Sequence, residues 1–130
     1  MEVPILKQGP YLIATIQSAL ADADLLNLRD ALVARVGRYR SRGVIVDVTA
    51  VDVMDSFASR MLRDIAHMIR LRGAETVIVG FQPEVAFAMV QLGLTLEGVA
   101  TALDLEEGLA YLDQKLKGAE KDTNASSRSR

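Results

Sequence analysis

The sequence contains no cysteine and no tryptophan, and it has a single histidine and three prolines among 130 residues. Without cysteine, a disulfide framework, a thiolate metal site and a cysteine nucleophile are all excluded. The histidine, His67, falls inside a predicted helix two residues after the core-facing Ile65, so we interpret it as a surface or half-buried structural residue. One histidine provides no cluster for zinc. We therefore predict no metal and no cofactor.

Charge and hydropathy limit the partners of this chain. Its 15 basic and 17 acidic residues give a formal net charge of −2, without the positive excess of a nucleic-acid or anionic-membrane binder. The first residues do not combine a basic stretch with an apolar run, as a signal peptide would. Apolar stretches all fall short of the ~20 residues that span a bilayer. We expect a cytoplasmic protein that binds neither nucleic acid nor membranes.

The order of strand and helix patterns predicts an α/β sandwich. Two β-branched-rich runs at 3–6 and 11–16 are separated by a Gly-Pro turn and predict an opening β-hairpin. The other predicted elements are a helix from Asp22 terminated at Gly43, a strand at 43–48, a helix from about Ser56 to Gly73, a strand at 76–80, a helix from Pro83 to Gly93, a short strand at 102–103 and a helix after Asp104. Strand–helix–strand crossovers imply parallel pairing, so the sheet should be mixed but largely parallel, with about four helices packed against it.

Apolar stripes on the helices predict the core, and their end predicts the domain boundary. Leu62 on the second helix and Leu109 on the last helix are predicted core residues. Residues 118–130 contain no large apolar side chain and are rich in serine and basic residues. We therefore predict a domain over residues 1–117 and a disordered tail over 118–130.

Motifs for enzymatic chemistry are missing from the sequence. The strand-to-helix connection before Ser56 has no glycine that would let backbone N–H groups approach a phosphate, and there is no Gly-x-Ser-x-Gly elbow. Asp47 and Asp55 could form a carboxylate pair, but no base or metal ligand accompanies them. We predict that the protein is not an enzyme.

The dipeptide Asp55-Ser56 stands where a buried strand leads into a helix. One of the two residues should be the N-cap, whose side-chain oxygen accepts a hydrogen bond from the first free N–H groups. A serine at such a position is exposed. A phosphate there would be tolerated by the helix dipole, yet it would add nearly two negative charges to any docking surface. A simple cap and a phosphorylation switch both remain open on this pattern.

Several stretches resemble the STAS domains of bacterial anti-sigma-factor antagonists. They are Pro-Ile-Leu-Lys at 4–7, Val-Asp-Val-Thr at 46–49, Asp-Val-Met-Asp-Ser-Phe at 52–57, Gly-Phe-Gln-Pro-Glu at 80–84 and Gln-Leu-Gly at 91–93. The resemblance keeps their order and spacing and covers essentially residues 2–117. Simple antagonists of this family usually have Asp-Ser-Ser-Gly-Leu at the serine, whereas this chain has Asp-Ser-Phe-Ala-Ser without the glycine. That departure is similar to the single-domain scaffold branch of the stressosome.

The resemblance implies a non-enzymatic STAS-type sandwich with a regulatory role. It implies a protein that sequesters a small serine/threonine kinase of the RsbT type within a large cytoplasmic assembly with RsbR-type paralogues. The kinase would phosphorylate Ser56 and thereby be released, and a phosphatase would reset the system. Asp55 and Phe57 would flank the switch and shape the surface that binds the partner, and Asp47 at the strand end would support it.

Two other functions remain open for the same fold. One is a simple anti-sigma-factor antagonist that binds an anti-sigma kinase directly. The other, from a different class, is a STAS subunit of a membrane transporter.

Overall fold

The computed structural model describes the backbone of residues 2–128 and the side chains up to Gly118. Its elements are β1 (Ile5–Gln8), β2 (Tyr11–Thr15), α1 (Asp22–Tyr39), β3 (Gly43–Asp47), α2 (Ser56–Leu71), β4 (Glu75–Val79), α3 (Pro83–Gln91), β5 (Ala100–Ala102) and α4 (Leu105–Arg128). This is the predicted order of strands and helices.

The five strands form one sheet in the order β1-β2-β3-β4-β5. Only the N-terminal hairpin is antiparallel, with Gln8 opposite Tyr11, and Gly9 at its turn has a φ of +58°. The strands β2 to β5 pair in parallel, and Asp47 at the end of β3 is in register with Val79 at the end of β4. The prediction of a mixed, largely parallel sheet is confirmed.

Helices cover both faces of the sheet, which explains why the central strands are continuously apolar. On one face, Val44, Val46 and Ile78 pack in a cluster with residues of α1 and α2, including the predicted core residue Leu62. On the other face, a second cluster centred on α4 contains the following buried residues: Tyr11, Ile13, Ile45, Val77, Val79 and Leu112. Successive residues of a strand point to opposite faces, so β3 and β4 contribute to both clusters.

The last helix packs on the sheet through its predicted apolar stripe, in which Leu112 is more deeply buried than the predicted core residue Leu109. Leu109 is only half-buried at the edge of the second cluster, whereas Leu112 is 2% exposed. The reason is the close approach of α4 at Gly108, where an added Cβ would lie 2.7 Å from Val79 Cγ1. Leu112 therefore fills the centre of this face.

Two predicted element boundaries were wrong. Helix α1 does not end at Gly43; it closes at Arg40, which adopts a left-handed φ of 51° and donates its N–H to the carbonyl of Val36. Gly43 begins β3, as predicted, and an added Cβ there would come within 2.8 Å of Leu112 Cδ1. The last strand ends at Ala102, and Leu103, predicted to belong to it, is 73% exposed.

The backbone of α4 continues to Arg128, past the predicted end of regular structure at residue 117. Lysine, alanine and glutamate favour helix, so an anchored helix can extend without burying anything. The lack of large apolar residues argues against tertiary packing but does not prevent helix formation. Residues 129–130 and the side chains beyond Gly118 lie outside the described part, so the domain boundary at 117 and the independence of the tail stay predictions.

Candidate functional site

The connection between β3 and α2, residues 48–55, lies at the carboxyl edge of the parallel strands. Val48, the first residue after β3, extends the ladder by donating its N–H to the Val79 carbonyl at 2.9 Å. Val51 donates back to the Val48 carbonyl at 2.9 Å, and Val51 and Met54 are both buried in the first core cluster. Val51 and Met54 thus anchor the connection to the core, and its residues 49, 50, 52, 53 and 55 are exposed.

Asp55, and not Ser56, is the N-cap of α2. Its backbone is extended, with φ −89° and ψ 177°, and its Oδ1 accepts the N–H of Ala58 at 2.7 Å. Ser56 is the first residue of the helix, and its side chain is exposed. Among the described residues, no hydrogen bond engages the Ser56 hydroxyl.

The hydroxyl groups of Ser59 and Thr49, which are also near this turn, are either buried or already hydrogen-bonded. Ser59, one turn further along α2, is 2% exposed. Thr49 is exposed, but its Oγ1 donates to Asp47 Oδ1 at 2.6 Å, and the same oxygen accepts the Thr49 N–H at 2.9 Å. Ser56 therefore combines exposure with an uncommitted hydroxyl, which Ser59 and Thr49 do not.

The start of the connection is fixed against the segment between β4 and α3. Gln82 Nε2 donates to the Thr49 carbonyl at 2.8 Å. At Gly80, whose φ is +87°, an added Cβ would lie 2.1 Å from Thr49 Oγ1 and 3.2 Å from Thr49 Cα. We call Asp47, Thr49, Gly80 and Gln82 the loop brace. It was missed in the sequence, although a glycine directly after a buried strand was a usable signal.

The structure brings only part of the predicted docking set together. Asp55 and Phe57 flank Ser56 at the start of α2, where Asp55 is exposed and Phe57 is half-buried. Asp47 is half-buried and its Oδ1 is occupied by Thr49, so it belongs to the loop brace. It does not share a hydrogen bond with Asp55 in the described part of the chain.

Apolar surface adjoins the capped helix end. Val53 in the connection is 63% exposed. A small pocket of about 60 Å³ beside the cap is lined by Leu20, Val53, Asp55 and Ala58, among others. An acidic cap, an exposed hydroxyl and the exposed apolar side chain of Val53 in one patch have the mixed character of a protein-binding surface.

The single histidine has the surface position predicted for it. His67 is exposed, and its Nε2 lies 3.3 Å from the Glu97 carbonyl oxygen. Among the side chains described, up to Gly118, no three metal-ligating residues group together. No helix in the described part of the chain combines the length and apolarity needed to cross a membrane.

Comparisons with known proteins agree with the fold. The STAS domain family matches residues 2–108. The solved structure of a serine-to-glutamate variant of Moorella thermoacetica RsbS is 32% identical in sequence, with a TM-score of 0.76, and covers 88% of this chain and 97% of that chain. A chain of the solved stressosome, described as a signal integration and transduction hub, is 31% identical with a TM-score of 0.71 over 87% of this chain and 98% of that chain.

A curated relative is a larger protein. The RsbT co-antagonist protein RsbRA of Bacillus subtilis is 32% identical over 98 residues, which are 75% of this chain and 34% of RsbRA. The chain thus spans about a third of the length of that relative.

Proposed function

Since this chain belongs to the STAS domain family of anti-sigma-factor antagonists and stressosome proteins, we propose that it is an RsbS-type scaffold and negative regulator. In this proposal it sequesters a serine/threonine kinase of the RsbT type and releases the kinase when Ser56 is phosphorylated. It acts by binding and not by catalysis, in the cytoplasm, and a phosphatase returns it to the unphosphorylated state.

The switch is supported by the separate roles of Asp55 and Ser56 at the start of α2. Asp55 provides the cap, so the exposed Ser56 hydroxyl is free to accept a phosphoryl group. Its modification breaks no hydrogen bond of the described structure. A phosphate at the first helical residue is also favoured by the helix dipole. Phosphorylation can therefore change the surface while leaving the domain folded.

Release of the kinase follows from the charge that the phosphate adds. A phosphoserine has a charge of about −1.5 to −2 at neutral pH. It would stand beside the carboxylate of Asp55 and close in sequence to the exposed Val53 and the half-buried Phe57. A partner that covers this patch in the unphosphorylated state would have to desolvate the new charge, which opposes docking.

Assembly with RsbR-type paralogues is favoured over the two other functions by the extent of the similarity. The match to RsbS covers 97% of that chain, and RsbRA is similar over 98 residues. Neither a simple antagonist nor a transporter subunit is supported by a relative of this identity among the comparisons above.

The test is phosphate mapping with an RsbT-type kinase. Wild type incubated with kinase and ATP should gain one phosphate by intact mass, located at Ser56, and lose the kinase in a pull-down. Ser56→Ala should gain none and retain the kinase. Ser59→Ala is the matched control on the same helix and should be modified like wild type. Ser56→Asp should release the kinase only partly, because one carboxylate lacks the charge and tetrahedral oxygens of a phosphate.

Either of two results would overturn the switch: phosphate mapped to Ser59 or Thr49, or kinase binding that is unaffected by phosphorylated Ser56. Assembly has a separate test, in which the chain mixed with an RsbR-type paralogue should elute as a very large particle. A product no larger than a dimer would favour the simple antagonist.

A further inference from the structure

Arg60 lies one helical turn after Ser56 on the exposed surface of α2. Residues four apart on a helix are neighbours, so Ser56 and Arg60 occupy adjacent positions on the helix surface, and both are exposed. The other two arginines of α2 have partners: Arg63 pairs with Asp64 at 3.6 Å and Arg70 with Glu75 at 3.4 Å. For Arg60, no ion pair or hydrogen bond occurs among the described residues.

Helix α2 has no acidic residue at the position from which it could form an ion pair with Arg60. An acidic residue four positions before a basic residue is the favourable order for an ion pair on a helix. That position is Ser56, and the first turn of α2 contains no acidic residue. Asp64, four positions after Arg60, already contacts Arg63, and Asp55 caps the helix through Ala58. Phosphorylation of Ser56 creates the missing acid.

Resting on the proposed phosphorylation of Ser56, we propose that Arg60 is the intramolecular counter-charge that pairs with the phosphate and holds it against the flank of α2. The guanidinium group presents several N–H donors in a planar fork that suits phosphate oxygens. This pairing makes Arg60 a positioning residue: it sets where the new negative charge lies relative to Asp55 and the exposed Val53. The phosphorylated helix gains a contact that the unphosphorylated helix does not have.

The experiment uses the full chain with phosphoserine installed at position 56 during synthesis, so that it does not depend on a kinase. Thermal unfolding is compared for the phosphorylated and unphosphorylated forms of wild type, Arg60→Gln and Arg63→Gln. Arg63 is the matched control, because it lies on the same helix but two turns from Ser56. We expect Arg60→Gln to lower the midpoint of the phosphorylated form by about 2 °C more than that of the unphosphorylated form, and high salt to remove the difference. Arg63→Gln should affect both forms equally.

A spectroscopic measurement separates pairing from a general change in stability. In wild type, the Nε–Hε resonance of Arg60 should shift when Ser56 carries the phosphate, and that of Arg63 should not. Equal effects of Arg60→Gln on both forms together with an unshifted Arg60 resonance would overturn the pairing. Slower phosphorylation of Arg60→Gln by the kinase, with no such difference in melting, would assign Arg60 to kinase docking instead. If the kinase fails to modify Ser56 in wild type, the proposed function fails, while the installed phosphoserine still tests the pairing.

Discussion

The cap of α2 makes a quantitative prediction about substitutions at Asp55 and Ser56. Asp55 Oδ1 accepts the Ala58 N–H at 2.7 Å, and Asp55→Ala removes the only side-chain acceptor at this helix end among the described residues. Loss of an N-cap costs about 1 kcal/mol, within a range of ~0.5–2 kcal/mol. Since the cap is exposed, water can partly satisfy the freed N–H, and we expect the middle of that range.

Two further substitutions separate the hydrogen bond from the charge. Asp55→Asn keeps an oxygen that can accept the Ala58 N–H and loses only the attraction between the carboxylate and the helix dipole, about 0.3–1 kcal/mol. Ser56→Ala removes a hydroxyl without a hydrogen bond in the described structure and should cost less than about 0.5 kcal/mol. The expected order of destabilisation is Asp55→Ala, then Asp55→Asn, then Ser56→Ala.

Urea unfolding at neutral pH measures this order. The midpoint of each variant should move while the slope stays that of wild type, because none of the substitutions changes the surface exposed on unfolding. If Ser56→Ala destabilises the protein more than Asp55→Ala does, the cap has been assigned to the wrong residue. Phosphorylation of Ser56 would then cost the helix a hydrogen bond, contrary to the proposed switch.

Three other regions give further predictions. Tyr11 donates a hydrogen bond to Asp113, and burial together with that bond raises the pKa of Tyr11 to about 12. The neutral phenol therefore stabilises the fold fully below pH 10, and this contribution is lost as pH rises towards 12. Tyr11→Phe should lack this alkaline loss of unfolding free energy and should be about 1 kcal/mol less stable at neutral pH. Thr76 is buried, and its Oγ1 has no hydrogen-bond partner among the described residues, so Thr76→Val should raise the free energy of unfolding in urea by about 1 kcal/mol. A lower value would point to a hidden partner. Truncation after Lys117 should barely change the melting temperature, and a loss of several degrees would show that the tail packs on the domain.

Most of the fold could be predicted because the sequence signals are local and strong. The continuous apolar runs of the central strands and the stripes of α1 and α2 specify which faces are buried. The wrong boundary at Gly43 shows where local signals end. A glycine after an amphipathic stretch is typical of a helix terminus, but here a non-glycine residue, Arg40, takes the left-handed conformation. Gly43 is needed for the close approach of Leu112, a contact between residues distant in sequence.

In the candidate site, too, features set by adjacent residues could be predicted, and features set by contacts between distant residues could not. Asp55, Ser56 and Phe57 are adjacent in sequence, so their arrangement at the start of α2 follows from a single helix boundary. The role of Asp47 does not, because it depends on how the connection meets the end of β4. Parallel pairing places Asp47 opposite Val79, and only this register sets Gly80 against Thr49.

The loop brace and the cap explain how a charge at Ser56 can act without refolding the domain. The connection is tied by Gln82 to the segment between β4 and α3 and is anchored by the buried Val51 and Met54, so the helix start is fixed before any modification. The exposed Ser56 side chain belongs to neither core cluster. A phosphate there therefore leaves both clusters intact and alters only the surface that a partner meets. In the proposed function, the signal is read by the bound kinase and not by a rearrangement of the sheet.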